Sequence, residues 1–421
     1  MKITIMGLGY VGLPLAAALT KKYQVTGFDI DEGRIQELKS GHDRTAELES
    51  SVLKSIDMKY TSSKDDIKSQ DIYIVTVPTP VDKNNKPDLT IIEKASKTIA
   101  SVMTKGAIVV YESTVYPGVT EEVCGRILEK ESGLKCGVDF FLGYSPERIN
   151  PGDKKHTIYS ITKVVAGQTP AVTKILEEMY SQVTDVFVAK NIKTAEAAKV
   201  IENSQRDINI AFINEITQIF SKLGISIYDV LDAAKTKWNF LPFTPGLVGG
   251  HCIGIDPYYL AECSKKVGHN PEVILSGRRT NDAMGSMLAN QVHHLLSDTT
   301  SYGQAKRILV LGLTFKENVP DLRNSKVIDV IKGLQNFGYA LDVVDPLADP
   351  AEAKKEYGID LKDITDTSSS YQAVLLLVSH DMFIKNQDDI LLKLDKGGLV
   401  FDIKNVWNPK AISEKYRFTT L

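Results

Sequence analysis

A cysteine among glycines is the feature of this sequence with the clearest chemical content. Cys252 stands in the segment GGHCIGIDP, and Asp256 follows it four residues later. Glycine carries no Cβ, so the backbone at Gly249 and Gly250 can approach a ligand closely. A thiolate is a strong nucleophile and forms covalent adducts with carbonyl carbons. Taken alone, the segment favours a small buried cysteine in a glycine turn, and the rest of the chain has to support a nucleophile.

The chain begins with a dinucleotide-binding fingerprint. The sequence GLGYVG at residues 7–12 lies between a predicted strand and a predicted helix, and Asp29 ends the next predicted strand. The three glycines permit a tight turn, close approach to a pyrophosphate and close helix–strand packing, and the helix N-terminus attracts negative charge. Asp29 would accept hydrogen bonds from an adenosine ribose and repel a 2′-phosphate, which favours NAD over NADP. Arg34 weakens this preference, because an arginine can hold a 2′-phosphate.

Two further groups of polar residues suggest ligand contacts. Lys199, Asn203 and Arg206 are spaced i, i+4 and i+7, so they share one face of a long predicted helix. Such a stripe is also typical of a solvated helix face. Lys316 and Arg323 follow the first predicted strand of the C-terminal region, where α/β sheets bind ligands and where cations can contact phosphate.

The order of elements predicts an α/β protein with two Rossmann-like, doubly wound domains joined by a long central helix and a helical dimerisation region. We predict a dinucleotide-binding domain over 1–192, a helical domain over 193–300 and a second Rossmann-like domain over 301–421. Thr194 is the expected N-cap of the long helix and Gly224 its expected end. The main predicted strands and further helices are Ile3–Met6, Gln24–Phe28, Ile72–Val77, Ala107–Tyr111, Phe140–Leu142, Val164–Ala166, Ile227–Ala234, Val273–Leu296, Ile308–Leu311, Leu341–Val344, Ala373–Val378 and Leu399–Phe401.

Composition narrows the class of protein. The 421 residues exceed what one core usually supports. A net charge of −3 gives no reason to expect nucleic acid or an anionic membrane as a partner. We expect a cytoplasmic protein, since neither a signal peptide nor an apolar stretch of membrane-spanning length is evident. The spacing of the four cysteines fits neither a zinc site nor a CxxC redox motif, so no metal is expected.

Together these groups resemble the UDP-sugar 6-dehydrogenase family, whose members oxidise a nucleotide sugar at C6 to a uronic acid. The resemblance extends over essentially the whole chain. It rests on seven segments in family order: GLGYVGLP (7–14), TVPTP (76–80), STVYPG (113–118), SPERINPG (145–152), KVIENSQR (199–206), GGHCIGIDP (249–257) and FKENVPDLR (315–323).

The cysteine segment also discriminates within the family. The glucose-oxidising branch resembles GGSCFxKD, whereas this chain has His251 before the cysteine and no lysine soon after it. This form is similar to the branch that acts on UDP-N-acetylhexosamines. SPERINPG points to UDP-N-acetylglucosamine or UDP-N-acetylgalactosamine rather than UDP-N-acetylmannosamine. His251 would either pack beneath the cysteine or meet the acetamido group, and packing is favoured because a lone histidine is more often structural.

The resemblance implies a four-electron oxidation with two hydride transfers to NAD. Lys199 and Asp256, with an ordered water, handle the hydroxyl proton and the oxyanion charge, and Asn203 hydrogen-bonds the oxyanion. Cys252 adds to the aldehyde and gives a thiohemiacetal, whose oxidation leaves a thioester. Glu147 activates the water that hydrolyses the thioester.

The remaining roles follow from the same motifs. Residues implied to bind NAD are Gly7, Gly9, Tyr10, Val11, Gly12, Asp29, Arg34, Thr79, Thr114 and Arg323. Residues implied to bind the UDP-sugar are Arg148, Ile149, Lys199, Asn203, Arg206, Gly249, Phe315 and Lys316. The third domain is expected to hold the UDP portion, and a homodimer or higher homo-oligomer is expected. The implied pathway is surface polysaccharide synthesis.

Two other classes of protein share part of this pattern. The 6-phosphogluconate and 3-hydroxyacid dehydrogenases join a Rossmann domain to a long helix with a lysine, but they perform one oxidation and have no third α/β domain. A non-catalytic protein that binds NAD and a nucleotide sugar would not need Lys199, Cys252 and Asp256 together.

Overall fold

The structure is a computed structural model that describes residues 1–148, 155–250, 252–297, 306–367 and 370–421. The chain divides into two compact units, the first made of residues 1–203 and 255–270 and the second of residues 204–254 and 271–421. The boundary between the units lies between Asn203 and Ser204, inside the long helix, whereas the predicted domain boundary lies at the start of that helix. The predicted boundary at 300/301 lies outside the described residues.

The elements are numbered in chain order. The strands are β1 Lys2–Met6, β2 Gln24–Phe28, β3 Lys59–Thr61, β4 Ile72–Val75, β5 Ile108–Tyr111, β6 Phe141–Tyr144, β7 Lys163–Gly167, β8 Val186–Val188, β9 Arg307–Leu311, β10 Ala340–Val344, β11 Tyr371–Leu376, β12 Leu394–Asp402 and β13 Arg417–Thr419. The α-helices are α1 Gly12–Leu19, α2 Glu32–Lys39, α3 Ser50–Ser55, α4 Thr90–Ala100, α5 Gly125–Ser132, α6 Pro170–Tyr180, α7 Ile192–Leu223, α8 Ile227–Ala234, α9 Asp256–Lys266, α10 Glu272–Ser297, α11 Val327–Asn336, α12 Pro350–Tyr357, α13 Asp381–Lys385, α14 Gln387–Leu391 and α15 Pro409–Ser413. None of these helices is long and apolar enough to cross a membrane.

The first unit is built on an eight-stranded sheet with the order β3-β2-β1-β4-β5-β6-β7-β8. Its first six strands are parallel and follow the 3-2-1-4-5-6 order of dinucleotide-binding sheets. Strands β4 and β5 are buried along their whole length, as expected for a parallel sheet covered on both faces. The predicted α/β fold class is confirmed.

The last two strands of this sheet, β7 and β8, are parallel to each other and run opposite to the other six. Strand β7 pairs with β6 in antiparallel register, Gly143 with Gly167 and Tyr144 with Ala166. The doubly wound sheet predicted from the sequence has parallel strands, so that prediction is wrong for the direction of β7. An antiparallel strand begins where its neighbours end, so Lys163, the first residue of β7, lies at the carboxyl edge of the sheet.

The long helix α7 has 32 residues. The expected cap at Thr194 is wrong, because the cap is Asn191. Its Oδ1 accepts the Thr194 backbone N–H at 2.8 Å and the Thr194 hydroxyl at 2.9 Å. The donor is thus three residues beyond the cap, as in other N-capped helices. The predicted end is confirmed, since Gly224 follows the helix with a left-handed φ of 70°.

The second unit is built on a parallel five-stranded sheet with the order β10-β9-β11-β12-β13. This is a 2-1-3-4-5 order, whose switch point lies between β9 and β11. Gly312 turns the chain after β9 with φ 93°. The Asp345 carboxylate, after β10, accepts the backbone N–H groups of Leu313 at 2.6 Å and Thr314 at 2.9 Å. His380 Nε2 lies 3.0 Å from the same carboxylate oxygen.

This arrangement predicts an acid-dependent contribution of Asp345 to stability. Burial would raise the pKa of Asp345, but the His380 and backbone hydrogen bonds lower it from 3.8 to about 2. The stabilisation is therefore fully present above about pH 4 and is lost as the pH falls towards 2. We expect Asp345→Asn to lower the free energy of unfolding by about 2 kcal/mol at pH 7. Urea unfolding from pH 7 to 2 should show this difference shrinking with acid. The exposed Asp65→Asn is the control, and an equal loss at every pH would contradict the prediction.

Candidate functional site

The turn after β1 has the geometry of a phosphate-binding turn. Gly7 has φ 98°, and its N–H donates to Phe28 O at 2.8 Å. The Asp29 carboxylate accepts the Leu8 N–H at 2.8 Å, which links the end of β2 to the turn. A Cβ at Gly12 would lie 1.9 Å from Gly7 O, whereas a Cβ at Gly9 would meet no atom within 4 Å. Gly12 is therefore required by packing, and Gly9 leaves open space beside the turn that fits a pyrophosphate.

Other predicted NAD residues lie at the same edge of the sheet. Thr79 follows β4 and Thr114 follows β5, and both are half-buried. Tyr10 and Val11 are both half-buried in the turn before α1. The carboxyl ends of parallel strands beside a switch point are where such sheets bind ligands, so this placement fits a dinucleotide.

Arg34 has a structural environment. Its guanidinium is buried and donates to Leu8 O at 2.9 Å and to the carboxylates of Glu37 and Asp43, both at 2.7 Å. These bonds fix the fingerprint turn to α2 and the loop after it. A 2′-phosphate would have to displace them, so this geometry does not weaken the preference for NAD that Asp29 implies.

A buried polar cluster in the first unit joins α7 to the start of α9. Lys199, Asn203 and Asp256 are at most 5% exposed. Asn203 Nδ2 donates to Asp256 Oδ2 at 2.5 Å, and Lys199 Nζ lies 3.8 Å from the same oxygen. Arg148 donates to Asn203 Oδ1 at 3.0 Å and to Lys199 O at 2.8 Å. The structure thus brings together four of the residues predicted to act on the sugar.

The electrostatics of this cluster suit proton transfer. Burial raises the pKa of Asp256, and the Lys199 charge and the Asn203 amide only partly oppose it. The other carboxylate oxygen, Oδ1, is buried and has no hydrogen-bond partner among the described residues. A buried acceptor without a donor is costly, and a substrate hydroxyl or a water would satisfy it.

The residues that hold Glu147 were not predicted from the sequence. The Glu147 carboxylate accepts from Lys163 Nζ at 2.5 Å, and Lys163 Nζ also donates to Glu112 at 2.6 Å. Glu112 follows β5 directly in the segment YESTV, so its position at a strand end was visible in the sequence. Lys163 gave no such signal, because its place depends on the reversed direction of β7.

Cys252 belongs to the second unit and is half-buried. Gly250 N donates to Asn324 O at 3.2 Å, and Asn324 Nδ2 donates to Gly250 O at 2.8 Å. A Cβ at Gly249 would lie 2.7 Å from Asn324 O, and one at Gly250 would lie 2.8 Å from the Phe315 ring. The glycines before Cys252 are therefore required by the close approach of residues 315–324.

A cleft of about 150 Å³ in the second unit opens beside the cysteine segment at the switch point of the sheet. It contains the predicted residues Gly249, Phe315 and Lys316, and also Lys326 and Lys404, which were not predicted to bind a ligand. Its lining residues are Ile210, Leu247, Val248, Gly249, Ile253, Phe315, Lys316, Glu317, Ser325, Lys326, Val327, Leu377, Val378, Ile403 and Lys404. Three lysines in a cleft at the carboxyl ends of strands suit a phosphate-bearing ligand.

The other predicted residues are less closely grouped. Arg206 is an exposed residue of α7 in the second unit. Arg323 forms an ion pair with Asp321 at 2.6 Å. Ile149 and His251 lie outside the described residues. Within the described ranges no group of three or more His, Cys, Asp or Glu residues could hold a metal ion, and none of the four cysteines is in a disulfide.

Comparison with known proteins gives consistent matches along the chain. Models of the UDP-glucose/GDP-mannose dehydrogenase family match in succession, as the NAD binding domain over residues 1–184, the central domain over 193–283 and the UDP binding domain over 309–409. Protein CapL of Staphylococcus aureus is 53% identical over 100% of this chain and 99% of its own. A UDP-N-acetyl-D-glucosamine 6-dehydrogenase of Pseudomonas aeruginosa is 48% identical over 96% of both chains. The solved structure of a UDP-D-ManNAc dehydrogenase from Pyrococcus horikoshii has a TM-score of 0.89 at 29% identity, covering 99% of both chains.

The glycine geometry predicts opposite outcomes for two alanine substitutions. Gly12→Ala places a methyl group against Gly7 O, so we expect the free energy of unfolding to fall by about 3 kcal/mol or more. Gly9→Ala meets open space, so the thermal unfolding midpoint should hardly change. Its methyl group would occupy the space left for a pyrophosphate, so the affinity for NAD should fall by roughly tenfold or more. Calorimetric unfolding and NAD titration check both variants. Unchanged NAD affinity in a folded Gly9→Ala variant would contradict the assignment.

Proposed function

The chain belongs to the UDP-glucose/GDP-mannose dehydrogenase family, and from this premise we propose that it oxidises C6 of a UDP-N-acetylhexosamine to the carboxylate. It is an NAD-dependent UDP-sugar 6-dehydrogenase. The observation that carries the finer proposal is the buried cluster of Lys199, Asn203 and Asp256 in a chain that also presents Cys252 in a glycine segment. A cation, an amide and a carboxylate serve an oxidation at a hydroxyl, and the thiol serves a second oxidation.

UDP-N-acetylglucosamine and UDP-N-acetylgalactosamine are the favoured substrates. The relative named for UDP-N-acetyl-D-glucosamine is 48% identical, whereas the solved structure named for UDP-D-ManNAc is 29% identical. The GGHCIGID segment supports an N-acetylhexosamine over glucose. UDP-N-acetylmannosamine is the alternative, and UDP-glucose ranks below it. A non-catalytic binding protein would leave the buried ionisable cluster without a purpose.

The first oxidation needs a base for the C6 hydroxyl and a donor for the developing oxyanion. Asp256, whose pKa is raised by burial, accepts the hydroxyl proton with Lys199 and an ordered water. Asn203 and Lys199 stabilise the negative oxygen, because an amide N–H and an ammonium both favour developing charge in a dry site. NAD would be held by the fingerprint turn, Asp29, Thr79 and Thr114, with Arg323 as a further proposed contact, and would accept the hydride in both oxidations.

The second oxidation depends on Cys252. The carbon of a free aldehyde is planar, so its C–H bond is a poor hydride donor. A tetrahedral adduct that bears an oxygen is a good one. Addition of the Cys252 thiolate to the aldehyde carbon makes a thiohemiacetal, whose oxidation leaves a thioester on the protein. Glu147 takes a proton from the water that attacks the thioester, and hydrolysis makes the whole sequence irreversible.

We assign the UDP portion to the cleft of the second unit, with Lys316 and Phe315 as contacts and Gly249 as the close backbone approach. Lys326 and Lys404 join them as phosphate contacts. Arg148 and Arg206 remain proposed sugar-nucleotide contacts, together with Ile149. The product, a UDP-hexosaminuronic acid, suits the supply of a surface polysaccharide.

A homodimer through the second unit is also proposed. Phe212, Ile219 and Leu223 recur at helical spacing along α7 and are 57%, 45% and 64% exposed. Trp238 is 96% exposed in the same unit. Large exposed apolar side chains that share one helix face are typical of a surface that another protein covers, and a second copy of the chain is the proposed partner.

The substrate proposal is tested by the yield of NADH per sugar. UDP-GlcNAc, UDP-GalNAc, UDP-ManNAc and UDP-glucose are offered separately in limiting amounts with excess NAD. We expect two NADH per sugar from UDP-GlcNAc or UDP-GalNAc and at least a tenfold lower kcat/KM for UDP-glucose, a difference of about 1.4 kcal/mol. Two NADH from UDP-ManNAc alone would select the alternative, and none from any of the four would refute the proposal.

The covalent mechanism predicts a specific failure in Cys252→Ser. Without the thiol the second oxidation lacks its adduct, so we expect acid formation to fall at least about a thousandfold. The NADH yield should drop to at most one per sugar. Cys263→Ser, a substitution of a half-buried cysteine in α9, is the matched control and should retain two NADH per sugar. Full acid formation by Cys252→Ser would exclude the thioester.

A further inference from the structure

Lys163, Glu112 and Glu147 form a buried group of charges in the first unit. Only Glu147 has a role in the proposed chemistry. Lys163 Nζ lies 2.6 Å from Glu112 Oε2 and 2.5 Å from Glu147 Oε2. The three side chains are 5%, 0% and 7% exposed. Tyr180 OH donates to the other Glu112 oxygen at 2.5 Å. One buried cation is thus shared by two carboxylates.

The reversed strand β7 is what assembles this group. Glu112 follows the end of β5, and Glu147 follows the end of β6 by three residues. Because β7 is antiparallel to β6, its first residue, Lys163, lies beside those two strand ends. A parallel strand here would have placed Lys163 at the opposite edge of the sheet.

The two carboxylates have different surroundings. Glu112 is held on both oxygens, by Lys163 and by Tyr180, so it anchors the lysine. Glu147 also accepts the Arg148 backbone N–H through Oε1, and the Arg148 side chain contacts Asn203 and the Lys199 carbonyl. The lysine therefore connects a purely structural carboxylate to the carboxylate beside the proposed sugar site.

We propose that Lys163 is a positioning residue for Glu147, holding that carboxylate ionised and aimed for hydrolysis of the thioester. The inference rests on the proposed function. In this step the water oxygen bonds to the thioester carbonyl carbon, the carbon–sulfur bond breaks, and the Cys252 thiolate leaves. The water proton passes to Glu147 and the sugar carboxylic acid is released, so neither oxidation nor a further reactant is involved.

Charge considerations agree with this geometry. Burial lowers the pKa of Lys163, but Glu112 and Glu147 raise it, and the net direction is upward. For Glu112, burial raises the pKa of the carboxyl, and the Lys163 charge only partly opposes this rise. The lysine is thus charged, and an ammonium 2.5 Å from Glu147 favours the ionised carboxylate that can accept a proton.

The test separates the two oxidations from hydrolysis. Lys163→Met keeps an unbranched side chain, one atom shorter, and removes its charge. On rapid mixing with NAD and the UDP-sugar that the wild type uses, we expect a burst of two NADH per site, followed by turnover at least about tenfold slower than wild type. Intact mass spectrometry should show the acylated protein accumulating. Lys193→Met is the matched control, since it breaks an exposed ion pair with Glu122 in the same unit and should turn over normally.

A second variant removes a negative charge instead of a positive one and leaves Lys163 in place. Glu112→Gln keeps the side-chain volume but removes the negative charge beside Lys163. Removing a cation near Glu147 raises the pKa of the carboxyl, and removing a neighbouring anion lowers it. The acidic limb of the kcat–pH profile should therefore move to higher pH in Lys163→Met and to lower pH in Glu112→Gln. A merely structural lysine would move neither limb.

The outcomes distinguish this inference from the proposed function. Wild type that yields no NADH from any UDP-sugar refutes the proposed function. Wild type that yields two NADH, with no acylated protein in Lys163→Met and the acidic limb unmoved in both variants, refutes the role of Lys163 alone. Combination with Glu147→Gln gives a further check. Lys163→Met should add no loss in that background, whereas an additive loss would overturn the inference.

Discussion

The burial of ionised side chains is the constraint on which the first unit depends. Desolvating a charge is costly unless an opposite charge and hydrogen bonds compensate it. Lys199 and Asp256 are paired across two helices, and Lys163 is paired with two glutamates at the ends of strands. Hydrophobic residues could fill these positions at no such cost, so the charges are explained by chemistry rather than by stability. Their locations consequently mark the proposed site better than any single motif does.

The two sheets use the same backbone device for different ends. In each sheet, a glycine with a left-handed φ follows the first strand. A carboxylate after the second strand accepts the backbone N–H of the residue that follows this glycine. Asp29 bonds one such N–H and is half-buried, so it can also face a ribose. Asp345 bonds two and is further engaged by His380. This carboxylate is fully engaged within the protein, which agrees with the proposal that the second sheet holds a UDP group rather than a second dinucleotide.

Much of the fold and of the candidate site could be predicted from the sequence, because the sequence patterns that indicate them are local. The fingerprint turn, the strand ends and the helical spacing of Lys199 and Asn203 all depend on residues within one or two elements. Lys163 could not be predicted, since a period-2 apolar pattern is the same for either strand direction. Asn191 was missed for a smaller reason: both it and Thr194 are good capping residues, and only the backbone decides which begins the helix.

The two halves of the proposed reaction make opposite demands on buried carboxylates. The base of the first oxidation must take a proton from an alcohol, so a pKa raised by burial is useful at Asp256. The base of the hydrolysis must be ionised while a neutral thioester waits beside it, so a neighbouring ammonium is useful at Glu147. Asp256 has its lysine at 3.8 Å and Glu147 has one at 2.5 Å. Since Coulomb attraction grows as the separation falls, this difference in distance is in the direction that the division of labour requires.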